Sequence, residues 1–126
     1  MKSRETVIRL KRFQADEKRR QVAQIESMIA EFERMAGDLD REIKTEQERA
    51  GISDPGHFAY PTYAKAAIQR RDNLLRSAGE LKTQLADARA AFDEALEELK
   101  KVEALDERDH GREHASLAGA AERARA

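Results

Sequence analysis

The chain has no cysteine, so a disulfide framework, a thiolate zinc site and a thiol nucleophile are excluded at once. Aromatic residues make up only 5% of its 126 residues, whereas Asp, Glu, Lys and Arg make up 39%. A globule of this length fills a three-dimensional core with more large apolar side chains than that. No apolar run approaches the ~18 residues of a membrane-spanning helix, and no signal-peptide stretch opens the sequence, so a cytoplasmic protein is expected. The formal net charge of −1 gives no global pull toward nucleic acid or acidic lipid. A Gly-rich phosphate loop and a Ser/His/Asp arrangement are both missing, so neither a cofactor nor catalysis is expected.

What the sequence does have is an apolar stripe that runs twice. From Val22 it passes through Ile25, Ile29, Phe32, Ala36, Leu39 and Ile43, in alternating steps of three and four. It restarts at Ala64 and continues through Ala67, Leu74, Ala78, Leu81, Leu85, Ala88, Phe92, Ala95, Leu99 and Val102, broken only by Arg71. A mean repeat of about 3.5 residues is the signature of helices wound in a left-handed coiled coil.

Between the runs lie Gly51-Ile52-Ser53-Asp54-Pro55-Gly56 and then Pro61, the only stretch with proline. Gly51 suits the left-handed position that ends a helix, and Asp54-Pro55-Gly56 is turn chemistry. Ser3 can cap a first helix over residues 3–50, and Pro61 or Thr62 opens a second over residues 62–108. The expected fold is all-α, two long helices forming an antiparallel coiled-coil hairpin over residues 1–110 with its turn at about 51–61. Residues 111–126, after Gly111, are expected to form a frayed or disordered tail.

Charge blocks select the antiparallel arrangement. Residues 1–20 carry eight basic and three acidic side chains, and residues 80–109 carry ten acidic and five basic ones. Nearer the turn, residues 31–48 are acidic and residues 60–79 basic, so folding back sets each block beside its opposite. One register pairs Ile43 with Leu74, Leu39 with Ala78, Phe32 with Leu85 and Ile25 with Phe92, and sets Glu46 beside Arg71 and Lys11 beside Asp106. A second, one heptad tighter, has a shorter turn and faces Leu39 with Arg71. The first is preferred, because it alternates large with small residues and gives polar seam residues partners.

Apolar residues off the stripe are the candidates for partner contact. Val7, Leu10 and Phe13 fall at outward positions when the repeat is carried back from Val22. Met28, Met35, Ile68, Leu75 and Leu96 flank the stripe and either widen the seam or form an associating edge. Phe58, Tyr60 and Tyr63 supply half of the aromatics and gather at the turn, where they either cap the hairpin or anchor a partner. His110-Gly111-Arg112-Glu113-His114 matches a zinc-peptidase pattern, but too little chain follows for a third ligand and a cleft, so no metal is expected. Lys18-Arg19-Arg20 reads as a solvated face, without interleaved aromatics for nucleic acid.

The run Thr6-Val7-Ile8-Arg9-Leu10-Lys11-Arg12-Phe13-Gln14, followed by Glu17-Lys18-Arg19-Arg20, resembles the flagellar export protein FliJ family in its alphaproteobacterial form. The similarity continues through Ile29-Ala30-Glu31-Phe32-Glu33-Arg34-Met35, the turn from Ile52 to Tyr63, and Arg70-Arg71-Asp72-Asn73-Leu74. It covers about residues 1–108, and the tail after His110 departs from it. The resemblance implies a stalk-like antiparallel coiled coil of the flagellar type III secretion system, peripheral at the cytoplasmic side of the inner membrane. Its implied partners are the hexameric export ATPase, the membrane export gate and the export chaperones, with catalysis belonging to the ATPase. A generic coiled-coil scaffold or chaperone is the alternative. A helical-hairpin nucleic-acid-binding arm would need one basic face, which the compensating blocks do not provide.

Overall fold

The computed structural model describes residues 2–125, and the first and last residues of the expected hairpin and tail lie outside them. It is all-α, with α1 spanning Lys2–Ala50 and α2 spanning Thr62–Arg125. The chain divides into two compact units, Gln21–Ala88 and Met1–Arg20 with Arg89–Ala126. In each unit a segment of α1 lies antiparallel to a segment of α2.

In the unit of residues 21–88 the apolar stripe closes into two clusters. Ile29, Leu81 and Leu85 are buried together, with Val22, Ile25 and Phe32 packed on them. Leu39, Ile43 and Ala67 form the other, flanked by Ile68 and Leu74. Ile68 thus widens the seam, while Met28 and Leu75 stay exposed. Ala64 and Ala67 are 0% and 3% exposed, small residues buried in the seam at the start of α2.

Between α1 and α2 the chain turns as its residue types require. Gly51 has φ of 69°, and its N–H donates to the Gln47 carbonyl at 2.9 Å, which ends α1 at Ala50. The Asp54 carboxylate accepts the Gly56 N–H at 2.9 Å, and the Asp54 carbonyl accepts the His57 N–H at 3.0 Å.

The register is the tighter of the two. Arg71 Nη1 meets Asp40 at 2.8 Å rather than Glu46, Lys82 Nζ meets Glu33 at 3.1 Å, and Ile43 and Leu39 share a cluster with Ala67. Lys11 Nζ likewise reaches Glu98 at 2.8 Å, not Asp106. The expected objection to this register was a charge facing Leu39. Arg71 removes it by laying its stem along the seam and carrying the guanidinium out to Asp40 and Asp72. Those carboxylates raise the Arg71 pKa, the hydrogen bond to Asp40 most, and keep it charged. Carbodiimide coupling, which joins an amine directly to a touching carboxylate, should link Lys82 to Glu33 and Lys11 to Glu98 within one chain. A Lys11–Asp106 product by mass spectrometry would restore the looser register.

The other unit is held differently. Its only buried apolar residues among those described are Ile8 and Ala15, against ten in the unit of residues 21–88. Arg4, Lys11 and Lys18 repeat at steps of seven, the same heptad position as Ile25, so charge stands where a core residue would. Arg4 pairs with Asp109, Lys11 with Glu98, and Arg12 with Glu103 at 3.2 Å. Ala15 and Ile8 continue the stripe seven and fourteen residues back from Val22, which extends the buried positions past their expected start.

The second helix also overruns its expected end. Gly111 was expected to stop it and release a frayed tail, but α2 continues to Arg125. Glycine costs a helix about 1 kcal/mol without blocking it, and no proline follows to break the backbone ladder. The alanines that come next are the strongest helix formers available. Ser3, expected as a cap, lies inside α1, which already starts at Lys2.

Candidate interaction surfaces

In the unit built from the chain's two ends, α1 shows three different faces. Ile8, Lys11 and Ala15 point into the seam, and Arg9, Arg12 and Arg19 are exposed on a charged arc. Val7, Leu10 and Phe13 occupy a third arc and are 42%, 51% and 58% exposed, as expected from the repeat. Val7 also lines a groove of about 320 Å³ with Ser3, Arg4, Val102 and Leu105. Leu105 was not singled out as a candidate. The signal was there, because it follows the seam residue Val102 by three yet falls off the three-four rhythm, and it is 52% exposed.

Electrostatics in this unit favour the paired state. The Lys11 ammonium donates to Glu98 and holds that carboxyl below the ordinary glutamate range, the hydrogen bond being the largest cause. A depressed carboxylate pKa contributes stability that is present above the unfolded-state value and lost as pH falls through the folded one. The Lys11–Glu98 bond should therefore be lost below the ordinary glutamate range. Carboxyl NMR titration should show the Glu98 midpoint rise to an ordinary value in Lys11→Met, and an unchanged midpoint would dissociate the two groups.

At the turn the three aromatics separate. Tyr60 is 7% exposed, and its hydroxyl accepts from the Gln47 side chain at 2.7 Å. Of the two roles expected for it, capping the turn or anchoring a partner, its burial fits the cap. Tyr63 is exposed, and its hydroxyl donates to Glu42 at 2.7 Å, which raises the phenol pKa. Phe58 is 96% exposed and stacks on His57 at 4.6 Å between ring centroids. His57 is itself fixed, since its Nδ1 accepts the Ala59 N–H at 3.0 Å and its N–H is bonded to Asp54. Phe58 is thus a projecting ring on an ordered loop.

The histidine motif lies on an exposed stretch of α2. His110 Nδ1 lies 3.0 Å from the Asp106 carbonyl oxygen and 3.3 Å from its carboxylate, one helical turn back. Among the described residues no group of three or more His, Cys, Asp or Glu is placed to hold a metal ion. Nor does any described helix have the length and apolarity to cross a membrane. No protein-family model, curated protein or solved structure matches this chain.

Proposed function

We propose that this chain is a component of the flagellar type III protein export apparatus. In this reading it binds the hexameric export ATPase and links it to the export gate and the substrate chaperones, at the cytoplasmic side of the inner membrane. The chain contributes contacts and no chemistry of its own. The observation that carries the reading is the exposure of Val7, Leu10 and Phe13 on a helix whose seam is already occupied by Ile8 and Ala15. Large apolar side chains held outward on an ordered helix, beside exposed arginines, are suited to anchor a protein partner. The resemblance of residues 6–20 to the FliJ family names that partner.

The test is ATPase stimulation by the full chain and by Leu10→Asp with Phe13→Asp. Stimulation and co-purification with the export ATPase should be lost in the double variant while helicity by circular dichroism is kept. A double variant that stimulates like the parent, or a parent that never binds the ATPase, would sink the reading. Self-assembly without any ATPase response would favour the scaffold alternative.

A further inference from the structure

The groove lined by Ser3, Arg4, Val7, Val102 and Leu105 has a row of basic residues running past it on α2. Lys101, Leu105, Arg108 and Arg112 follow at steps of four, three and four along α2, so they share one helix face. Lys101, Arg108 and Arg112 are all exposed, and none forms an ion pair among the described residues. Lys101 acts on Glu98 only at a distance. Two carboxylates of the same stretch, Glu98 and Asp109, are already taken by Lys11 and Arg4. An apolar floor of Val7, Val102 and Leu105 therefore lies beside a row of three exposed cations that form no ion pair among the described residues.

We infer that this groove docks an acidic amphipathic helix of a partner protein. Its apolar stripe would cover Val7, Val102 and Leu105, and Asp or Glu on its flank would meet Lys101, Arg108 and Arg112. A helix lying in a two-helix groove repeats its anchors every three or four residues, the same step at which Leu105 and its cations recur. Charge pairing at such a rim sets partner choice and on-rate, while the floor supplies the contact area. An anionic membrane would use the same cations. A concave floor edged by Ser3, with Val102 half-buried, suits a row of inserted side chains better than a lipid interface, which takes a convex apolar face. The groove deepens the export-ATPase reading by giving the chemistry of the bound segment, and shares only Val7 with it.

The experiment uses the full chain and a fluorescent amphipathic peptide of about 20 residues, long enough to form a helix, with leucine at helical spacing and glutamate elsewhere. A second peptide replaces each glutamate by lysine. Anisotropy should show binding of the acidic peptide alone, weakened by added salt. Lys101→Glu with Arg108→Glu and Arg112→Glu should weaken it about tenfold or more, as should Leu105→Ser. Amide shifts should fall at Val7 and Leu105 and spare Phe58. Equal binding of both peptides, no binding of the acidic one, or indifference to the charge reversal would overturn the proposal. Sedimentation with phosphatidylglycerol vesicles in place of peptide binding would assign the surface to lipid and overturn it too. Peptide binding without ATPase stimulation would remove the export reading and leave the groove standing, and the reverse result would do the opposite.

Discussion

Leu81→Ala should destabilise the unit of residues 21–88 by about 2–3 kcal/mol and lower its thermal midpoint accordingly. Leu81 is 8% exposed and shares one cluster with Ile29 and Leu85. Two helices bury only one stripe each, so the space that alanine leaves opens to solvent and is not sealed as a cavity. That thinness sets the expected cost toward the lower end of the usual range, but it also means the total stability is small. Loss of a single leucine should therefore populate the unfolded unit visibly at room temperature. Leu75→Ala, at an exposed position on the same helix, should change stability by less than about 0.5 kcal/mol. Equal effects at the two positions, measured by urea unfolding, would show that the seam does not run where Leu81 lies.

The second large effect is expected at the turn, where two neighbouring aromatics should fail in opposite ways. Tyr60→Ala should cost about 3 kcal/mol, because it removes a buried ring and leaves the Gln47 amide without its hydroxyl acceptor. Phe58→Ala should leave stability within about 0.5 kcal/mol, since the ring touches little beyond His57. If Phe58 is the anchor for the export gate, its removal should weaken gate capture about tenfold or more while ATPase stimulation stays near the parent level. The loop is already braced by Asp54, His57 and two prolines, so docking orders little that was free. A stability loss in Phe58→Ala with gate capture intact would instead make that ring a cap. Tyr63→Ala should resemble Phe58→Ala in stability, since Glu42, its hydrogen-bond partner, is exposed.

Much of this architecture can be read from residue spacing. The three-four rhythm marks both helices, Gly51 marks the end of the first, and Val7, Leu10 and Phe13 stand outward because the rhythm carries back past Val22. The register was harder, because it depends on where a long side chain puts its charge. Arg71 at a seam position reads as a clash until its guanidinium is seen beside Asp40. Tyr60 poses the same difficulty in miniature: spacing cannot tell a ring that folds back on Gln47 from one that projects. Gly111 misled for another reason. A glycine marks a helix end only when the chain needs a positive φ there, as at Gly51 and not in the middle of α2. The groove escaped notice because its floor comes from Val7 and Leu105, nearly a hundred residues apart in sequence.

Arg4, Lys11 and Lys18, standing in line with Ile25, also give the protein an uneven timetable. Amide hydrogens of residues 2–20 should exchange with solvent sooner, where ion pairs hold the helix, than those around Ile29 and Leu81, which are held by a packed cluster. Added salt should speed exchange in the first segment and leave the second nearly unchanged. A chain in which the same three positions were leucine would hold its ends shut and lose that sensitivity to its surroundings.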